Sequence, residues 1–160
     1  MEGVGGVNVL SLFDGLSCGQ IALNRIGIKP EVYYAAEVDK YAIKVTQANY
    51  PKTVQLGDVT QWREWDINWA SIDLLIGGSP CQGFSFAGKQ LAFHDPRSKL
   101  FFVYVDILNH IKSVNPNVKF MLENVKMKKE YLAVISEHLG VEPVFINSAL
   151  VSAQNRQRYY

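Results

Sequence analysis

Short apolar stretches of strand length alternate with amphipathic stretches of helical period along the whole chain, and this alternation restricts the fold more than any other feature. Val7–Phe13 reads as a first strand and Gln20–Ile26 as its helix, with Gly27 as the stop. Val32–Glu37 reads as the second strand, Lys40–Asn49 as a helix, Thr53–Leu56 as a short third strand and Ile72–Ile76 as the fourth. A polar, glycine-containing loop is expected from Gln82 to Lys99, followed by a long helix over Leu100–Val114 with Pro116 beyond it. Val118–Leu122 gives a fifth strand, Glu130–Leu139 a helix ended by Gly140, and Val144–Val151 a last strand. Such repetition predicts an α/β fold with a doubly wound, Rossmann-like, largely parallel sheet. No repeat, linker or low-complexity segment interrupts the pattern, so residues 1–160 are expected to form one domain.

Composition narrows the setting. A chain of 160 residues that is 48% hydrophobic can bury a sizeable core, and it holds no apolar run long enough to span a bilayer. The lead Met1–Gly6 is rich in glycine and lacks the basic start and apolar core of a secretory signal, so the cytoplasm is the expected location. Cys18 and Cys81 form no CxxC pair, and His94, His110 and His138 lack ligand spacing; neither a disulfide nor a metal site is expected. A net charge of +1 is low for a protein that grips nucleic acid unaided. Any such partner needs a local basic surface or additional protein.

The strand ends carry the chemistry. The first strand runs into Phe13-Asp14-Gly15-Leu16-Ser17-Cys18-Gly19, a tight turn before a helix, where a Rossmann-like sheet receives a nucleoside cofactor. The stretch does not match G-x-G-x-x-G, which disfavours a dinucleotide. Glu37, with Val38 and Asp39 after it, closes the second strand at the place of a ribose-binding acid. Asp58, between Gly57 and Val59, closes the third, where it can accept from an adenine amino group. A nucleoside cofactor without a pyrophosphate points to S-adenosylmethionine.

Gly77-Gly78-Ser79-Pro80-Cys81-Gln82-Gly83 delivers a thiol to the tip of the fourth strand. Two glycines allow a sharp turn and close approach to a ligand, and Pro80 fixes the direction of the chain before the sulfur. Glu123-Asn124-Val125 closes the fifth strand and should put a carboxylate at the same sheet edge as Cys81. Arg156 and Arg158 alternate at strand spacing, so both can face one side. A thiol nucleophile, a proton-carrying carboxylate and paired cations suit covalent catalysis.

These residues resemble the ordered motifs of the DNA (cytosine-5) methyltransferases: Phe13-Asp14-Gly15, Glu37, Gly57-Asp58-Val59, Pro80-Cys81-Gln82, Glu123-Asn124-Val125 and Gln154-Asn155-Arg156-Gln157-Arg158-Tyr159. Ser79-Pro80-Cys81 and Phe13-Asp14-Gly15 look closer to the de novo enzymes of animals than to many bacterial members. Ser17-Cys18 stands where a glycine pair is common, and Ser79 where a proline is frequent. The resemblance implies methyl transfer from S-adenosylmethionine to C5 of a cytosine flipped out of double-stranded DNA, as in restriction-modification. It implies Cys81 as nucleophile, Glu123 as proton donor to N3, and Arg156 and Arg158 as holders of the base. It assigns the cofactor to Phe13, Asp14, Gly15, Leu16, Cys18, Glu37, Val38, Asp39, Asp58, Val59, Gly78 and Leu100. The loop Gln82–Lys99, with Ser85, Lys89 and Arg97, is the expected cover over the flipped base. A eukaryotic source would move the expected location to the nucleus.

In this family a target-recognition region follows the Arg-x-Arg-Tyr motif. The expectation is therefore a catalytic domain incomplete at its C-terminus, requiring a further segment or a second chain. Two rivals are weighed. A non-catalytic binding or scaffold module would keep the fold without the reaction. A nucleotide hydrolase would use Gly83–Lys89, which fits G-x-x-x-x-G-K, but Gln90 occupies the place of the magnesium-binding Ser or Thr and Asp95-Pro96 interrupts the helix that should follow.

Overall fold

The computed structural model describes residues 6–80 and 99–160. The chain divides into two compact units, residues 1–77 with 107–121 and residues 78–106 with 122–160.

The first unit is built on parallel strands. Strand β1 (Val7–Leu12) lies between β2 (Pro30–Ala36) and β4 (Leu74–Gly77), and β3 (Val54–Gln55) pairs with β2. With β5 (Lys119–Leu122) at the far edge, the order is β3-β2-β1-β4-β5. The order reverses beside β1, and that reversal opens a crevice at the carboxyl ends of the strands. Val9, Leu10 and Leu12 are fully buried, as expected for a central parallel strand covered on both faces. Val9, Leu23, Tyr33, Ala35 and Ile76 form one core cluster, in which α1 (Cys18–Arg25) lies against the sheet through Leu23. Helix α2 (Lys40–Asn49) begins at Asp39, whose carboxylate caps it.

The second unit contains α4 (Lys129–Leu139), which buries Tyr131, Ile135 and Leu139 at a four-residue spacing and ends on Gly140 at φ 71°. It also holds an antiparallel sheet in the order β6-β8-β7, formed by Asn124–Val125, Gln157–Tyr159 and Phe145–Asn147. Helix α3 (Lys99–Val114) begins in this unit and ends in the first. It buries Phe101, Tyr104, Val105, Leu108 and Ile111, an i, i+3, i+4, i+7 stripe.

Several boundaries differ from the sequence expectations. Phe13 leaves β1 because it adopts φ 57°, outside the strand region. Strand β2 starts two residues earlier, at Pro30, a first position that tolerates the missing N–H. The first helix starts at Cys18 rather than Gln20. Strand β4 starts at Leu74 rather than Ile72, because the side-chain amide of Asn115 donates to the Ile72 carbonyl at 2.8 Å in place of a strand partner. The expected strand Val144–Val151 is limited to Phe145–Asn147. There the Asn147 side chain accepts from the Ala149 N–H at 3.1 Å and turns the chain into a 3-10 turn over Ser148–Leu150.

Candidate active site

At the end of β1, Phe13, Gly15 and Ser17 all take left-handed φ values of 57°, 58° and 57°. A Cβ built on Gly15 would meet nothing within 4 Å, so the glycine serves the backbone conformation and leaves the turn open. Gly19 has the opposite reason. A Cβ there would lie 2.4 Å from Ile76 Cδ1 and 2.7 Å from the Tyr33 hydroxyl, so any side chain at this position would force those two buried groups to shift. Leu16 is 54% exposed and Cys18 is exposed on the same turn.

Asp14 faces the protein. One carboxylate oxygen accepts from the Tyr33 hydroxyl at 2.8 Å, the other from the Ser17 hydroxyl, and the Asp14 N–H donates to the Ala36 carbonyl at 3.2 Å. Its carboxylate thus braces the turn. Burial, and next the charge of Asp14, push the Tyr33 hydroxyl above the usual tyrosine range.

Glu37, at the end of β2, is the point on which two turns meet. Its Oε1 accepts from the Val38 and Asp39 N–H groups at 2.8 and 2.9 Å, and its Oε2 accepts from Gly15 N–H at 2.7 Å. A carboxylate offers about four acceptor positions, so Oε2 keeps one for a hydroxyl donor. Asp39 Oδ1 is engaged in capping α2, with Tyr41 and Ala42 N–H at 2.7 and 3.0 Å, while Val38 is 71% exposed. Asp58, after β3, accepts from Thr60 N–H and Thr60 Oγ1 on Oδ1 alone. Val59 beside it is buried in the core. The first unit therefore brings the ends of β1, β2 and β3 to one edge, with two acids that retain acceptor capacity and the exposed apolar side chains of Leu16 and Val38.

In the second unit Glu123 sits between β5 and β6. The antiparallel register Asn124↔Tyr159 and Val125↔Arg158 brings β8 alongside it. Glu123 Oε1 accepts from Arg158 Nε at 2.8 Å and from Arg156 Nη2 at 3.2 Å, so both arginines do face one side. Arg156 is held by its backbone: its N–H donates to Asn147 Oδ1 at 3.1 Å and its carbonyl accepts from Ser148 N–H at 2.9 Å. A Cβ on Gly78 would lie 3.0 Å from Glu123 Oε2, so the glycine makes room for the carboxylate. Two polar atoms that the sequence reading passed over, Ser79 Oγ and Asn124 Nδ2, are buried here without a hydrogen-bond partner among the described residues. Leu100 is half-buried in the first turn of α3.

Cys81 lies outside the described residues, as do Ser85, Lys89 and Arg97 and the Gly83–Lys89 skeleton. Among the described residues no group of three or more His, Cys, Asp or Glu is arranged to hold a metal ion, and no helix is long and apolar enough to cross a membrane.

A family model described as C-5 cytosine-specific DNA methylase matches residues 7–160. The chain is 36% identical over 167 residues to the orphan methyltransferase M.Rho11sI of Bacillus phage rho11s, covering 96% of this chain and 32% of that protein. It is 41% identical over 121 residues to the type II methyltransferase M.HhaI of Haemophilus parahaemolyticus, covering 76% of this chain and 34% of that one. Among solved structures, S. pombe Dnmt2 methyltransferase shares the fold at a TM-score of 0.64 and 18% identity, over 96% of this chain and 47% of that chain. A mutant of Spodoptera frugiperda DNMT2 does so at 0.65 and 23%, over 96% and 48%. The chain spans between 32% and 40% of the length of the curated relatives it matches.

Proposed function

Because the chain belongs to the C-5 cytosine-specific DNA methylase family, we propose that it forms the cofactor-binding and catalytic part of an enzyme that methylates C5 of cytosine in double-stranded DNA. One observation carries the reading: Glu123, the carboxylate directly after β5, is gripped on one oxygen by two guanidiniums while its other oxygen lies over Gly78, three residues before Cys81.

The family and the fold imply S-adenosylmethionine, and the residues at the first unit's strand ends fit it. Glu37 Oε2 and the uncapped side of Asp58 offer acceptors for ribose hydroxyls and the adenine amino group. Gly15 leaves the turn open, and Leu16 and Val38 present apolar surface for a purine. Asp14, Asp39 and Val59 serve by shaping these turns. Phe13 and Cys18 complete the proposed cofactor set of the first unit, and the family resemblance adds Gly78 and Leu100 to it. When bound, the cofactor supplies an electrophilic methyl group on a sulfonium.

Cytosine C5 is a poor nucleophile until a bond forms at C6. The Cys81 thiolate adds to C6, the ring electrons move away from it, and Glu123 delivers a proton to N3, so that C5 gains enamine character. With Oε1 taken by Arg156 and Arg158, Oε2 is the oxygen of Glu123 placed to carry that proton. The same guanidiniums hold the base and offset developing negative charge. Once C5 carries the methyl group, loss of its proton to water re-forms the double bond and expels the thiolate, and N3 returns its proton to Glu123. A stacked base cannot reach these groups, so the cytosine is flipped, at a cost of a few kcal/mol. The loop Gln82–Lys99 is the proposed cover. Such an enzyme works where DNA is held, the cytoplasm of a bacterium or the nucleus of a eukaryotic cell.

Label transfer from S-adenosylmethionine to cytosine-containing duplexes tests the proposal, with the chain alone and with a C-terminal segment supplied in cis or as a second chain. C5-labelled cytosine supports it; label on another base, or none in either arrangement, overturns it.

A further inference from the structure

The turn after β1 carries more left-handed backbone than its glycine explains. Ser17 is a non-glycine residue at φ 57°, fully buried, directly before α1, and its side chain does not cap that helix. An L-residue in this conformation costs about 1–2 kcal/mol, so something must hold it. Phe13 carries the same burden four residues earlier.

What holds them is a chain of buried and half-buried polar side chains drawn from the turn itself, β2, α1, α2 and the residue before β3. Ser17 donates from its hydroxyl to Asp14 Oδ2, and Tyr33 of β2 donates to Asp14 Oδ1 at 2.8 Å. Gln20 of α1 donates from Nε2 to Ser17 Oγ at 3.2 Å and to Thr53 Oγ1, just before β3, at 2.9 Å. From α2, Thr46, 1% exposed, donates to the Gly15 carbonyl at 3.4 Å. The Gly15 N–H is fixed from the other side by Glu37. All but the Gln20–Thr53 bond, which anchors Gln20 itself, end on the segment Asp14–Ser17. Apart from Glu37, whose Oε2 keeps an acceptor position for a ligand hydroxyl, these side chains bond to the protein and act on the turn.

We infer that Tyr33 and Ser17 are positioning residues for the cofactor turn: through Asp14 they lock Phe13–Ser17 into its left-handed path and so set the Gly15–Glu37 contact in advance of binding. Ser17 replaces a glycine's conformational freedom with a side chain held on both sides. Preorganisation of this kind raises affinity by removing an ordering cost. The inference rests on the proposed function in taking S-adenosylmethionine as the ligand of this turn.

Two readouts keep the two readings apart. Amide hydrogen exchange of the unliganded chain reports the turn itself, and calorimetry with S-adenosylhomocysteine reports the site. Tyr33→Phe, Ser17→Ala and Ser17→Gly are compared with Leu108→Ala, a cavity variant of a buried α3 residue that is expected to lose at least as much stability without removing a polar group from the turn. Tyr33→Phe and Ser17→Ala are expected to speed exchange at Gly15 and to weaken S-adenosylhomocysteine binding by roughly three- to tenfold, the scale of one net hydrogen bond. Ser17→Gly is expected to bind less weakly than Ser17→Ala, since it relieves the backbone while losing the same hydroxyl. Leu108→Ala is expected to change neither at temperatures where the chain stays folded. Unchanged Gly15 exchange in Tyr33→Phe overturns the positioning role, as does an equal loss of affinity in Leu108→Ala. An unaltered protein that binds no S-adenosylhomocysteine overturns the cofactor reading instead, and the exchange data then decide the positioning role alone.

Discussion

The two units hold their functional groups by different means. At the cofactor edge of the first unit, Asp14, Ser17, Gln20 and Tyr33 form a buried network under the turn, and Glu37 is fixed by three backbone amides. In the second unit Glu123 is held by side-chain ion pairs that water reaches, with Arg156 45%, Arg158 20% and Glu123 28% exposed. Geometry in the first region comes from the core and is bound to folding stability. Geometry in the second comes from charge on a sheet of two- and three-residue strands and can be altered with little effect on the fold.

That contrast is sharpest in Glu123→Gln. Exposed ion pairs contribute about 0–1 kcal/mol, so the variant is expected to unfold within about 1 kcal/mol of the parent. Methyl transfer is expected to fall by about 10²–10⁴-fold, the usual scale for a lost proton donor. Chemical denaturation and label transfer on one preparation check both, and a large loss of stability would erase the distinction between the regions. Gly19→Ala reverses the pattern. With Ile76 Cδ1 and the Tyr33 hydroxyl in the way of a new Cβ, it is expected to lose about 1–3 kcal/mol, read from the denaturation midpoint.

The smallest expected effect is on alkaline stability. Tyr33 in the first unit and Tyr104 in the second both have hydroxyls raised above the ordinary range near 10, Tyr33 by burial and then Asp14, Tyr104 by burial. The folded state keeps these protons where the unfolded chain loses them. Their contribution is therefore complete below about pH 10 and declines above it, by up to about 1.4 kcal/mol per pH unit for each group. Tyr33→Phe is expected to make the decline shallower, measured as denaturation midpoints between pH 9 and 11. An unchanged slope would mean that Tyr33 is not sealed under the turn.

The parallel sheet was legible because its central strand β1 is buried on both faces and the strands read as short apolar runs between helices of clear period. The antiparallel sheet was not. Asn124–Val125 and Gln157–Tyr159 are too short to carry a period, and their pairing depends on contacts across more than thirty residues of sequence. The two arginines were still readable, because a spacing of two survives in a three-residue strand. Asp14 reads as a ligand acid in a glycine turn, and nothing in the sequence says that Tyr33 and Ser17 turn it inward. Gly19 carried a signal that went unused: a glycine one residue into α1 is costly unless the helix must approach the sheet closely.

In the proposed mechanism Cys81 attacks the flipped cytosine while Glu123 supplies the proton. A duplex carrying 5-fluorocytosine tests it directly, because fluorine at C5 cannot leave as a proton does and the adduct is trapped after methyl transfer. In a preparation that transfers methyl groups, with S-adenosylmethionine present, a covalent protein–DNA adduct is expected that Cys18→Ser retains and Cys81→Ser loses. An adduct that persists in Cys81→Ser would contradict it.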